Sequence, residues 1–470
     1  MQPFELSAAA LLACYKNGAV SPLEAMQSVL DRVARFEPHI AATYLLAPER
    51  ALAEAKAAEE RWRRGAPTGP LDGVPATVKD NIATKGDPIP VGTAASDMAP
   101  ALADAPPAAR LREAGAILFA KTTMPDYGML SSGLSSFHRL ARNPWNLALN
   151  PGGSSAGAAA AAAAGYGPLH VGTDIGGSIR LPAGWCGLVG LKPSGGRVPI
   201  DPSYYGRVAG PLTRTVADAA LIMATLSLPD GRDYSSLPPQ ALDWRIRPLD
   251  WRGRKVCLLL DAGCGDKPTP AVSRAIERAA RDIEAAGAVV EPLRPFLTQA
   301  MLDGLDRFWR LRSLIDLDAL APEQRNQVLP FIRDWAEVAR GVDAKAAFDD
   351  FGQMREVAKA TVAATLPYDF VLSPTAPDVA YPAEWPMPSN DPARAMAHIG
   401  FTVAFNMSEQ PAATANCGYD EKGLPIGLQI VGRRFDDLGV LGAAMAFEAL
   451  RADEGRPWPE PPVQPNEAPR

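Results

Sequence analysis

Histidine and cysteine are scarce in this sequence of 470 residues. It holds four histidines and five cysteines, and none of them falls in the HxxxH, HExxH or CxxC spacing typical of metal sites. The odd number and wide scatter of the cysteines also argue against a disulfide framework and favour a reducing compartment. We therefore expect a cytoplasmic protein that uses neither a metal nor another cofactor.

Long apolar segments and a strong net charge are missing as well. The composition is 47% hydrophobic and 21% charged, with a formal net charge of −6, as is ordinary for a globular protein with a large core. The alanine run at 158–164 is short, and alanine is too weakly apolar to span a bilayer. The N-terminus lacks the basic segment and apolar core of a signal peptide. These absences predict that neither a membrane nor a nucleic acid is a partner.

The chain is organised around residues 150–180, which contain two clusters of glycine and serine, GGSS at 152–155 and GGS at 176–178. Glycines let the backbone approach a ligand closely, and a serine after them can be presented beside backbone N–H groups, as an oxyanion hole requires. The alanine run after Ser155 predicts a buried helix capped by that serine, and residues 169–173 predict a short interior strand. Taken alone, the two clusters could also be simple turns.

Further motifs are spread over most of the chain. They are LDGVP at 71–75, VKDN at 78–81, NPWN at 143–146, GLKPS at 190–194, GPLTR at 210–214 and GLPIGLQ at 423–429. Together with GGSSAGAAAAAAAG and GTDIGGSIR, they closely resemble the amidase signature family of serine hydrolases. The resemblance implies an α/β fold in which a large twisted mixed β-sheet is covered on both faces by helices.

The same resemblance implies the residues of an active site. Ser178 is the nucleophile, Ser154 is the bridging serine with a cis peptide bond before it, and Lys79 is the base. A lysine can accept a proton only when it is neutral, and burial is the effect that lowers a lysine pKa far enough. The backbone N–H groups expected to form the oxyanion hole are those of Ile175, Gly176, Gly177 and Ser178.

Substrate contacts are expected from Gly128, Met129 and Arg180. The apolar GML run at 128–130 and the aromatic residues near Trp309 favour an apolar or aryl group in the substrate. The main prediction is therefore a hydrolase that cleaves the C–N bond of a small-molecule amide, such as an aryl amide or a carbamate (urethane), through an acyl-enzyme. A homodimer is left open as its assembly.

Two alternatives stay open. The family also includes the A subunit of the tRNA-dependent glutamine amidotransferase, although DYGMLSSGLSS at 126–136 departs from the DEFAMGSS-like run usual in that protein, and residues 219–370 also differ. The second alternative is an α/β-hydrolase esterase, because GSSAG at 153–157 fits the G-x-S-x-G elbow and would make Ser155 the nucleophile. That elbow needs a strand directly before it, whereas residues 147–151 are short and end in Asn-Pro.

We expect a single amidase domain over residues 1–470. Its parts are N-terminal helices at 1–65, the signature core at 66–218, a variable helical region that shapes the substrate pocket at 219–370, the C-terminal part of the core at 371–455, and a Pro-rich tail at 456–470. Within them, helices are predicted from the Ser21 capping box to Arg35, from 48 to about 65, at 106–114, after Thr269 at 270–286, and at 438–450. Strands are predicted at 74–79, 117–120, 370–372 and 428–431.

Overall fold

The computed structural model describes residues 2–451 and 459–460, so most of the predicted Pro-rich tail lies outside the described residues. The α-helices found there are α1 Ala8–Asn17, α2 Pro22–Ile40, α3 Pro48–Arg63, α4 Pro106–Glu113, α5 Ala156–Ala164, α6 Arg180–Trp185, α7 Val216–Leu226, α8 Pro270–Ala285, α9 Gln299–Asp318, α10 Pro322–Arg325, α11 Pro330–Glu337, α12 Ala344–Thr365, α13 Gly400–Met407 and α14 Asp437–Leu450. The strands are β1 Thr43–Leu46, β2 Pro75–Lys79, β3 Ile117–Thr122, β4 Leu169–Asp174, β5 Val189–Lys192, β6 Val208–Thr213, β7 Lys255–Leu258, β8 Val289–Pro292, β9 Phe370–Pro374, β10 Ala412–Tyr419 and β11 Pro425–Val431. None of the helices in these ranges is both long enough and apolar enough to span a membrane.

The strands form one mixed sheet of 11 strands in the order β1-β3-β2-β4-β6-β5-β10-β11-β9-β7-β8. Strand β2 is parallel to β3 and β4, and β7 is parallel to β8 and β9, while the other pairs are antiparallel. Side chains alternate between the two faces, so Phe370 and Leu372 join one buried cluster and Val371 joins another. Helices α8 and α14 cover the first face and α9 and α13 cover the second. The predicted α/β fold with a large mixed sheet is confirmed.

Local signals in the sequence place most helices and strands correctly. The Ser21 capping box is formed, since the Ser21 hydroxyl accepts from the Glu24 N–H and the Glu24 carboxylate accepts from the Ser21 N–H. The helix that it opens continues beyond Arg35 to Ile40. The N-terminal helices predicted for residues 1–65 are present, but the segment also contains a strand that was not predicted, because Thr43–Leu46 pairs with β3 as an edge strand. Such a short strand is formed by its neighbour in the sheet rather than by local preference.

The helix that follows Ser155 is α5, but Ser155 does not cap it. The Ser155 side chain makes no capping bond. Its hydroxyl donates instead to the Thr173 carbonyl at 3.1 Å and accepts from the Thr173 N–H at 3.2 Å. The prediction of a serine cap is therefore wrong, since a contact with β4 competes with the cap for the same oxygen.

Helix α5 lies in the interior of the protein. All of its nine residues are buried, and its alanines pack against α2 on one side and against Ile179 and Leu212 on the other. Gly157 allows the closest approach, because a Cβ there would clash with the carbonyl oxygen of Ala42 and the backbone N of Thr123. Because the side chains of α5 are small, the start of the helix can pack against the ends of the central strands.

Two neighbouring parallel strands end at the same edge of the sheet and carry the key polar residues there. Lys79 is the last residue of β2, and Asp174 is the last residue of β4, followed by the GGS cluster. The carboxyl ends of adjacent parallel strands are a common place for a binding site in α/β proteins.

We predict that Gly157→Ala lowers the melting temperature, because the added methyl group has only rigid backbone to displace. Overpacking of this kind costs about 1–3 kcal/mol. The matched control is Gly352→Ala in α12, where a Cβ meets nothing within 4 Å. Since alanine is the better helix former by about 0.5–1 kcal/mol, the control should melt at or slightly above the wild-type temperature. Thermal unfolding at one scan rate compares the three proteins, and an equal effect of both substitutions would contradict the packing described for α5.

Candidate active site

The amine of Lys79 is completely buried and is surrounded by hydroxyl groups. Its Nζ lies 2.7 Å from Ser154 Oγ, 3.2 Å from Ser155 Oγ and 3.1 Å from Thr173 Oγ1. Within the described residues, no carboxylate forms an ion pair with Lys79. Neutral neighbours can hydrogen-bond an uncharged amine fully, whereas a buried ammonium needs a counter-ion to offset its desolvation.

The surroundings lower the pKa of Lys79 well below its ordinary value. Burial is the main cause, and the positive charge of Arg207 acts in the same direction. The carboxylates of Asp174 and Asp80 oppose the shift but do not outweigh it. The structure therefore favours the neutral amine, the form that can accept a proton.

The backbone just before Ser154 is packed so closely that only glycine fits at position 153. The peptide bond between Gly153 and Ser154 is cis, as the resemblance implies. A Cβ on Gly153 would clash with the backbone N and O of Ser132, so the chain there has no room for a side chain. On its other side Ser154 borders Gly128, where a Cβ would lie 3.3 Å from Ser154 Oγ. The Ser154 hydroxyl contacts the Lys79 amine, and Ser154 also borders the larger of the two cavities at Ser178.

Ser178 follows a turn whose shape depends on the Asp174 carboxylate. That carboxylate accepts from the N–H of Gly177 at 2.8 Å and from the N–H of Ile179 at 3.0 Å. Gly177 has φ +128°, in the region that favours glycine, and a Cβ there would lie 2.7 Å from Thr402 Oγ1. The turn places Ser178 on the wall of two cavities.

Arg180 does not contact the substrate space, and the prediction that it does is wrong. Its guanidinium is buried and forms an ion pair with Asp174 at 3.0 Å. It also donates to the side chains of Gln429 and Asn406 and to the Thr402 carbonyl. Burial by itself raises the pKa of Asp174, but the charge and hydrogen bonds of Arg180 hold it well below the usual range. Arg180 therefore keeps Asp174 ionised, and Asp174 in turn holds the turn before Ser178.

Three of the four predicted oxyanion donors remain available. The N–H of Gly177 is used by Asp174. The N–H groups of Ile175, Gly176 and Ser178 have no acceptor within the described ranges. Ile175, Gly176 and Ser178 all border the smaller cavity, and a substrate carbonyl oxygen in that space could receive more than one of these N–H groups.

Ser155 is poorly placed to be a nucleophile. It is completely buried, its hydroxyl proton is directed to the Thr173 carbonyl, and it does not border either of the two cavities at Ser178. No strand precedes it directly, because residues 150–155 are irregular. The arrangement is not that of a strand-to-helix nucleophile elbow.

Two cavities meet at Ser178. The larger, of about 510 Å³, is also bordered by Ser154, Asn81, Tyr204, Arg207 and Arg312. The smaller, of about 40 Å³, is mostly apolar and is bordered by Met129, Trp309, Met387, Met396 and Ile399. Gly128 borders both cavities and Met129 borders the smaller one, and that either residue contacts a substrate stays a prediction.

Several residues of the site were not identified from the sequence. Thr173 contacts Lys79 and also accepts from the Asn81 amide at 3.2 Å. Asn406 donates to the Asp174 carboxylate from α13, more than 200 residues away along the chain. Thr173 lies next to the GGS cluster and could have been found from its position, whereas nothing in the sequence around Asn406 indicates its role.

Two groups of known proteins are similar to this chain. The A subunit of the glutamyl-tRNA(Gln) amidotransferase of Chloroflexus aggregans is 32% identical over 469 residues, covering 92% of this chain and 94% of that protein. A bacterial aryl acylamidase of the amidase signature family has the same fold, with a TM-score of 0.87 and 29% identity, covering 95% of this chain and 96% of that one. The peptide amidase from Stenotrophomonas maltophilia aligns with a TM-score of 0.82 and 28% identity, covering 98% of this chain and 99% of that one.

The first group corrects the expectation that a nucleic acid plays no part. Relatives at 32–33% identity over nine-tenths of the chain or more are named as subunits of a tRNA-linked amidotransferase, so the exclusion of nucleic acid is wrong. It rested on an acidic net charge, which is a sum over the whole chain. Such a sum does not report on local surfaces or on a partner chain that meets the tRNA.

The family itself follows from the match over the length of the chain. The family model described as amidase matches residues 24–441. That range contains both glycine–serine clusters and the buried lysine beneath them, and the solved structures with the same fold are amidase signature enzymes. The chain therefore belongs to the amidase signature family, whose members are hydrolases acting on C–N bonds.

Proposed function

We propose that the site hydrolyses an amide through an acyl-enzyme on Ser178, with Ser154 as the proton bridge and Lys79 as the base. The observation that carries the proposal is the buried Lys79 amine, 2.7 Å from Ser154 Oγ and surrounded by hydroxyl groups. A neutral amine at this depth can act as a base on Ser154, which borders the larger cavity. A hydroxyl between it and the nucleophile provides a proton path.

The reaction then proceeds in two halves. Ser178 Oγ attacks the carbonyl carbon while its proton moves to Ser154 and the proton of Ser154 moves to Lys79. The oxyanion is received by the free N–H groups of the turn. The proton returns through Ser154 to the nitrogen as the C–N bond breaks and the amine leaves. Water repeats the same steps on the ester, which releases the acid and restores Ser178.

Two substrate classes have specific support. The amidotransferase relatives favour an A subunit that releases ammonia from glutamine, and their identities of 32–33% over most of the chain are the stronger support. The aryl acylamidase favours an aryl amide, together with Trp309 and Met129 beside Ser178. The first class predicts activity within a complex and the second predicts activity of the chain alone.

The first prediction concerns the nucleophile. A serine-reactive fluorophosphonate should label Ser178, because this serine borders both cavities next to the N–H groups of the turn. Peptide mapping by mass spectrometry locates the label. It should disappear in Ser178→Ala and persist in Ser155→Ala. Label on Ser154 or Ser155 in the wild-type protein would refute the assignment.

The second prediction concerns Lys79. Lys79→Met keeps most of the side-chain volume but removes the base, and general-base catalysis is typically worth about 10²–10⁴-fold in rate. In the wild-type protein, kcat/KM should fall on the acid side, because Lys79 gains a proton as the pH drops through its lowered pKa. The variant should lose this acid limb together with the rate. An unchanged rate and limb in a variant that still melts like the wild type would exclude Lys79 as the base.

The third prediction separates the two substrate classes. The isolated chain is assayed for ammonia release from glutamine and for amine release from an acetanilide and a phenyl carbamate, with Ser178→Ala as the blank. Hydrolysis of the anilide or carbamate by the chain alone supports the stand-alone amidase. Glutamine hydrolysis, absent or weak until the other proteins of the complex are added, supports the amidotransferase role.

A further inference from the structure

Two arginines that take no part in the proposed proton transfers border the larger cavity. Arg207 directly precedes β6, and Arg312 lies on α9, one turn beyond the Trp309 that packs on the oxyanion turn. Helical spacing puts Trp309, Arg312 and Asp316 on the same face of α9, toward the cavity. The two cations therefore reach one space from separate elements, on the same wall as Ser154 and Ser178.

Neither guanidinium is matched by a carboxylate. Within the described ranges, neither forms an ion pair: Arg207 donates to the Pro202 carbonyl at 2.8 Å, and Arg312 stacks on the Tyr204 ring at 4.4 Å. Both side chains are half-buried, and they are close enough that burial together with the charge of Arg312 lowers the pKa of Arg207 to about 10. Two like charges held together in a cavity wall repel each other, and an anion between them would relieve that repulsion.

The carboxylates nearby do not supply that anion. Asp201 and Asp316 border the same cavity, but both are exposed at its rim and neither is paired with the arginines in the described structure. Burial raises the pKa of Asp316, and the positive charge of Arg312 acts in the opposite direction. Asp174 is committed to Arg180. The cavity wall thus holds two half-buried guanidinium groups that form no ion pair within the described residues, while the two remaining carboxylates lie at its exposed rim.

The position of Ser154 tells which part of a substrate lies next to the arginines. In the proposed mechanism Ser154 returns the proton to the leaving nitrogen, so the amine must leave on the Ser154 side of Ser178. Ser154 borders the larger cavity and not the smaller one. The small apolar cavity with Met129 and Trp309 is left for the acyl group.

We propose that Arg207 and Arg312 form a carboxylate-binding subsite for the leaving amine, and that the substrates are N-acylated amino carboxylates with a small apolar acyl group. This inference rests on the proposed amide hydrolysis and names its substrate class. The products are an amino carboxylate and a small carboxylic acid. Arg207 is half-buried beside the reaction centre, and Arg312 stands at the junction of the two cavities.

The test uses a series of N-acetylated amino carboxylates with one to five methylenes between nitrogen and carboxylate. Each is compared with the neutral N-alkylacetamide of equal length, and released amine is measured at a pH above the acid limb. Charge-assisted hydrogen bonds contribute enough for a preference of about 10- to 100-fold in kcat/KM. The best member of the series should exceed its neutral analogue by that factor.

The variants are Arg312→Gln and Arg207→Gln, each with its lysine counterpart. Each glutamine variant should lose most of the preference for the carboxylate. Arg312→Lys should restore part of the preference, since it keeps the charge but not the planar fork. The ratio of charged to neutral substrate is the readout, because the charge of Arg207 also acts on Lys79 and alters the rates for both substrates together.

Each result has one meaning. Equal hydrolysis of charged and neutral substrates, or a preference that survives both glutamine substitutions, overturns the subsite while the amide hydrolysis stands. Arginine-dependent hydrolysis of glutamine places the carboxylate on the acyl part and overturns the assignment to the leaving amine. Activity that persists in Ser178→Ala overturns the proposed function itself.

Discussion

The burial of one amine is the constraint on which the rest of the site depends. Lys79 ends a strand that is buried along its whole length, so its side chain has no path to water. A protonated Lys79 would need a counter-ion there, but its neighbours are hydroxyl groups. The lowered pKa is therefore a consequence of the fold. A similar residue on the surface would be a protonated cation at neutral pH.

A second buried group, the Asp174 carboxylate, keeps its charge. Asp174 stays ionised in the interior because Arg180 is paired with it and its oxygens accept several N–H groups. At this edge of the sheet, the buried charge of Asp174 is thus balanced by Arg180, whereas the amine of Lys79 is held among uncharged hydroxyl groups. The Asp174–Arg180 pair shapes the turn that leads to Ser178, and burial leaves an amine of lowered pKa beside Ser154. The low dielectric strengthens the ion pair of Asp174 with Arg180 and lowers the pKa of Lys79.

Small residues make this arrangement possible. The alanines of α5 and the glycines at 153 and 157 bring three backbones close to one another around the serines. A side chain at position 157 would force the start of α5 away from the backbone of Ala42 and Thr123. The geometry of this site therefore depends on small side chains as much as on the polar residues.

The sequence by itself determined the family, the α/β class, most helices and strands, and the position of Lys79 at the end of an interior strand. These follow from local signals: glycine–serine clusters, capping residues and short apolar runs. The tertiary structure alone decided that Thr43–Leu46 is a strand, that Ser155 bonds to Thr173 instead of capping α5, and that Arg180 is buried against Asp174. Each of these depends on a partner that is distant along the chain or on competition for one hydrogen bond. A local sequence pattern does not show which distant residue becomes the partner in the folded chain.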